Sequence, residues 1–199
     1  KSPVFRMLHN FRKSLQHERE QTLKADRFYI DVLHASFIKR FNTNSEEDMC
    51  MQRQDVDVLI TVNGTTFKVS EKFRDVDYGD LYIEIYSKYP DTLGWMHTGS
   101  PNAILYFTPR SVYWITHSSL KNFCINELFN AIPTQWLAEL YENKKTIQHK
   151  KITIKDSIVD LHLIQSHNKD GASWETIGVS VAFDVLKNFG VKFRKIDVV

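Results

Sequence analysis

The sequence predicts a mixed α/β (α+β) protein, with a central mixed sheet flanked by helices. Three observations predict it. Two β-patterned runs meet at Asn63-Gly64, a dipeptide whose residues both tolerate positive φ and so close a two-residue hairpin. Leu81 to Tyr86 alternates aliphatic with aromatic or charged residues, the period of a strand. Apolar residues at helical spacing recur on both sides of this region, over 22–41 and 120–143.

Taken in order, Phe5, Leu8, Phe11 and Leu15 predict an amphipathic helix, or a pair of short ones, in the charged stretch 1–27. Leu23, Phe28, Val32, Phe37 and Phe41 extend the helical pattern from Thr22 to Phe41, about five turns at 1.5 Å per residue. Residues 42–54 read as a polar connector. The hairpin then runs through Asp55–Val62 and returns through Thr65–Phe73. Side chains two apart share a strand face, so Ser70 and Lys72 point one way and Val69 and Glu71 the other. An acidic loop with Gly79 leads to the strand carrying Glu84. Pro90 to Pro101 reads as loop, and a second hairpin joins 103–108 to 112–116, apolar on both faces and so expected near the middle of the sheet. A helix follows from Leu120 to Asn143, interrupted at Pro133. Lys151–Ile154 and Ile158–Ile164 read as strands, and Trp174–Asn188 as a helix that Gly190 ends. These elements divide the chain into a core over 1–143, with its N-terminal helices, and a small C-terminal α/β extension over 144–199.

The 199 residues are enough for one substantial core. Apolar residues at 42% and charged ones at 25% are those of an ordinary globular protein. The net charge of +2 names no polyanionic partner and excludes none, because local patches outweigh the sum. No run reaches the roughly 18 apolar residues of a membrane span, no signal peptide is legible, and two cysteines form no metal knuckle. A cytoplasmic protein without membrane attachment is expected.

An Asp-bearing strand, a hairpin return with Ser70-Glu71-Lys72, a glycine turn and a strand reading Ile83-Glu84 together resemble the PD-(D/E)XK nuclease superfamily. The continuation from Gly94-Trp95 through Phe123 resembles its phage and mobile-element members, and the likeness spans roughly residues 20 to 143. The resemblance implies a restriction-endonuclease-like fold and a Mg²⁺- or Mn²⁺-dependent nuclease, DNA being the favoured substrate. Asp57 matches the aspartate of the motif and Lys72 its lysine. Ser70 stands where the family has Asp or Glu. Glu84 is the first candidate to replace that carboxylate, and Glu71, turned inward at a bulge, the second. Asp57, Glu84 and Glu71 are thus the candidate metal ligands, with Lys72 orienting the attacking water or steadying the developing charge. Arg74, His97, Lys150, Lys151, Lys192 and Lys195 are the candidate nucleic-acid contacts. A homodimer fits this reading. So does a nucleic-acid-binding module that has lost hydrolysis.

Overall fold

A computed structural model describes residues 16–143, 146–167 and 175–198. The first fifteen residues of the stretch 1–27 expected to be helical, Lys144-Lys145 and residues 168–174 lie outside the described residues. The architecture is mixed α/β, built on two sheets rather than one.

Helix α1 covers 16–32, its last turn widening over Phe28–Val32 so that Leu33 N reaches Phe28 O at 3.1 Å. The helical pattern was expected to continue to Phe41. Instead His34 turns to φ 52° and the chain enters strand β1 (Phe37–Arg40). Hydrogen bonding decides this, since Phe37 to Arg40 pair antiparallel with Thr61 to Val58. A period-3.6 pattern cannot show that a sheet edge is waiting for the segment. Within the expected connector, Ser45 accepts from Asp48 N and starts helix α2 (Glu46–Gln52), whose first turn is acidic.

Strands β2 (Val58–Val62) and β3 (Thr65–Phe73) form the hairpin. Asn63 at φ 48° and Gly64 at 75° supply the two positive dihedrals of its turn. Next come β4 (Asp80–Lys88), β5 (Thr92–Leu93), the single turn α3 (Trp95–Thr98), β6 (Ala103–Phe107) and β7 (Ser111–Thr116). Helix α4 begins at His117 and continues through Ala131, with a widened turn at Cys124–Leu128; α5 is Thr134–Glu142. Strands β8 (Ile147–Ile154), β9 (Ser157–His167) and β10 (Glu175–Ala182), helix α6 (Phe183–Asn188) and β11 (Phe193–Asp197) complete the chain.

The helix expected over Trp174–Asn188 is therefore mostly strand. Thr176, Ile177, Val179 and Val181 are β-branched, and the segment fills the place between β4 and β9. Gly178 sits where an added Cβ would fall 2.5 Å from the Tyr82 ring, so the two strands can pair only with glycine there.

The first sheet has the order β1-β2-β3-β6-β7-β11, and β3 and β6 are its parallel pair. The second has the order β5-β4-β10-β9-β8. Strand β4, expected in one sheet with β3, thus pairs with β10 instead. The segment after residue 143 supplies β8, β9 and β10 of the second sheet and β11 of the first. Its Leu161, Leu163, Val179 and Val181 share one core with Leu81, Ile83, Ile104, Ile115 and Leu120.

Alternation along β3 and β6 gives the first sheet two distinct faces. Val69, Leu105 and Phe107 pack with Phe28 and Tyr29 of α1. Ile104 and Tyr106 point the other way, into the core shared with the second sheet and α4. Ser70 and Lys72 lie in register with Ile104 and Tyr106, and Glu71 with Leu105. The hairpin thus sends Ser70 and Lys72 to one side of the sheet and Glu71 to the other.

Candidate functional site

Strands β2 and β3 stay paired only as far as Val58 and Val69, and beyond that point β2 leaves the sheet. Asp57 closes the gap. Its backbone N–H reaches Val69 O at 2.9 Å, and its Oδ2 accepts from Glu71 N at 2.7 Å. The carboxylate so satisfies a strand N–H whose ladder partner has departed. Burial raises the Asp57 pKa to about 6, with the charges of Asp55 and Glu71 adding to the rise and Lys72 opposing it.

The residue that meets Lys72 is Asp55. Lys72 Nζ lies 2.6 Å from Asp55 Oδ1, and Ser70 Oγ donates to Asp55 Oδ2 at 2.7 Å. Lys72 also stands 5.0 Å above the Trp95 ring, a cation–π contact that holds the ammonium from a second side. Asp55 enters from the turn between α2 and β2 at φ 56°, with its N–H bonded to Gln52 O. The sequence resemblance pointed to Asp57, two residues further on, and gave Asp55 no role.

Glu84 reaches this side from the second sheet, not from a strand neighbouring β3. Its pKa is raised by burial, and the Asp55 charge adds to that, while the Trp95 backbone N–H and Lys72 oppose it. Gly94 makes the approach possible, since an added Cβ would lie 2.5 Å from the Glu84 carbonyl oxygen and 2.8 Å from its Cγ.

Glu71 does not turn inward. The register of β3 on β6 is regular from Val69 to Phe73, so no bulge redirects the side chain. It faces α1, and Arg40 of β1 reaches its two oxygens with Nη1 and Nη2 at 2.8 and 3.1 Å while the Tyr29 hydroxyl of α1 donates at 2.5 Å. Asp26 takes the other side of the Arg40 guanidinium at 2.8 Å. This partly buried network anchors α1 to the sheet, and nothing in the local sequence announces it.

Arg74 shares the Lys72 face. Its Nε donates to the Tyr106 hydroxyl at 2.8 Å, and the guanidinium lies between the Tyr78 and Tyr82 rings at 5.7 and 5.5 Å. His97 stacks on Phe129 at 5.1 Å and its carbonyl accepts from Lys121, so it packs the loop to α4 and does not meet Lys72. Lys150 and Lys151 lie on β8 and Lys192 and Lys195 on or beside β11, the outermost strands of the two sheets. Lys150 covers the Trp136 ring, Lys151 faces Asp160 and Lys195 faces Asp197. The structure does not gather these four lysines around Lys72.

His117, the first residue of α4, was not singled out in the sequence. It is 4% exposed, and its Nε2 has no hydrogen-bond partner among the described residues. Burial and Lys121 lower its pKa, and Asp55 opposes them.

Among the described residues no three of His, Cys, Asp and Glu lie close enough together to share one ion as they stand. The donor chemistry nevertheless suits a hard divalent cation, which takes one or two carboxylates and keeps several waters. Asp57 and Glu84 are both half-buried acids with raised pKa values, both feel the charge of Asp55, and Lys72 is the cation that opposes the rise at each. No family model, curated protein or solved structure matches this chain. No helix among the described residues is long and apolar enough to cross a membrane.

Proposed function

We propose that the protein is a Mg²⁺- or Mn²⁺-dependent nuclease that hydrolyses phosphodiester bonds, with DNA as its substrate. The observation that carries this reading is a lysine set among carboxylates from three separate segments. Asp55 from the α2–β2 turn pairs with Lys72 at 2.6 Å, and the Lys72 charge also bears on Asp57 at the head of β2 and on Glu84 from the second sheet.

In this reading water and one or two of the Asp55, Asp57 and Glu84 carboxylates hold the cation. When bound, it acidifies a water and neutralises charge on the phosphoryl oxygens. Lys72, oriented by Asp55 and the Trp95 ring, presents its ammonium to the attacking water or to the charge that develops on the phosphate. Arg74, two residues along the same face, offers a planar donor to a neighbouring phosphate. Its tyrosine partners fix the guanidinium before the strand arrives.

A second reading, a DNA-binding module without hydrolysis, is favoured by one observation. Lys72 already spends its charge on Asp55, and Ser70 stands where the resemblance implies an acid. Supercoiled plasmid separates the two readings. The nuclease nicks or linearises it with Mg²⁺ or Mn²⁺ and leaves it intact in chelator. A protein that retards plasmid equally in both conditions and never cuts it is the binding module.

A further inference from the structure

Resting on the nuclease reading, we infer that Asp55 is the carboxylate that works with Lys72 in this centre and fills the place of the acid missing at position 70. An acid at position 70 would share the Lys72 face and reach past the end of β2. Ser70 occupies that position, fully buried, and its hydroxyl is committed to Asp55 Oδ2 at 2.7 Å. The Asp55 carboxylate therefore stands one hydrogen bond beyond Ser70, with its second oxygen on Lys72. The hydroxyl is thus on β3 and the acid on the turn before β2.

Three further features fit this placement. An added Cβ at Gly99 would come within 3.0 Å of the Asp55 Cβ, so glycine leaves the room that Asp55 occupies. The charge of Asp55 bears on Asp57, on Glu84 and on the buried His117. The two acids expected from the sequence are each tied to backbone, Asp57 to Glu71 N and Glu84 to Trp95 N. Ser70 is accordingly a positioning residue that aims Asp55.

The test uses Asp55→Asn, Ser70→Ala and the exchanged pair Asp55→Ser with Ser70→Asp. Mn²⁺ affinity is read by electron paramagnetic resonance without DNA, cleavage is read on plasmid, and folding by thermal melting. Asp55→Asn is expected to lose cleavage and at least about tenfold in Mn²⁺ affinity, and Ser70→Ala about tenfold in cleavage with the smaller effect on the ion. The exchanged pair is expected to recover both readouts, because it restores acid and hydroxyl in swapped places. A folded Asp55→Asn variant that binds Mn²⁺ and cuts like the wild type overturns the inference and leaves the nuclease reading standing. So does an exchanged pair no better than Asp55→Asn. Should Asp55→Asn fail to fold, the exchanged pair alone decides. A wild-type protein that neither binds Mn²⁺ nor cuts takes down the nuclease reading itself, and this inference with it.

Discussion

Replacing Glu71 by glutamine separates an anchor from a metal ligand. The Glu71 side chain is 7% exposed, and its two oxygens serve Arg40 and Tyr29, the latter wholly buried. Removing one partner of a buried ion pair costs about 3–5 kcal/mol, because the other charge is left without its counterion. Arg40 keeps Asp26 at 2.8 Å, and glutamine keeps one carbonyl acceptor, so the low end applies, about 3 kcal/mol. For a chain of this length that lowers the melting temperature by about 6–12 °C. In urea the midpoint should fall with the slope unchanged. Arg40→Met alone should also destabilise, and the double variant should lose less than the sum of the two, because the surviving charge goes with its partner. At temperatures where the variant is folded, its Mn²⁺ affinity should equal that of the wild type, since Glu71 lies across the sheet from Lys72. A stability loss below about 1 kcal/mol would refute the anchoring argument. A folded variant with weakened Mn²⁺ binding would return Glu71 to the ligand set.

Two other outcomes are expected. In chelator, the raised pKa of Asp57, about 6 against an ordinary 3.8, means that the folded protein takes up a proton before the unfolded chain does as pH falls. Its stability should therefore rise as pH drops from neutrality through about 6 and level off near 3.8, and the difference in melting temperature between wild type and Asp57→Asn across that window measures the effect. Of the two cysteines, Cys50 is exposed, whereas Cys124 is wholly buried and burial pushes its thiol pKa far up. A thiol reagent should label one cysteine in native protein and both in denaturant, and rapid native labelling at Cys124 would contradict its place in the core.

What the sequence by itself determined is the set of features with a local cause. Asn63-Gly64 makes a hairpin because its two residues accept positive φ, whatever lies around them. The alternation through Leu81–Tyr86 buries Leu81, Ile83 and Ile85 because a strand turns successive side chains to opposite faces. The same rule sends Lys72 and Glu71 to different sides of β3, which made Glu71 the weaker candidate before any fold was known. Tertiary structure decided whatever depends on a partner distant in the chain. Periodicity tells which face of a segment is apolar but not which strand will pair with it. Hence β4 joined β10 instead of the sheet of β3, and Phe37–Arg40 became an edge strand at the end of a helical pattern. The choice of Asp55 over Asp57 as the partner of Lys72 has the same origin. It follows from where β2 leaves β3 and from the room left beside Gly99, and the side chains that define that space come together only when the two sheets and α4 have closed on one core.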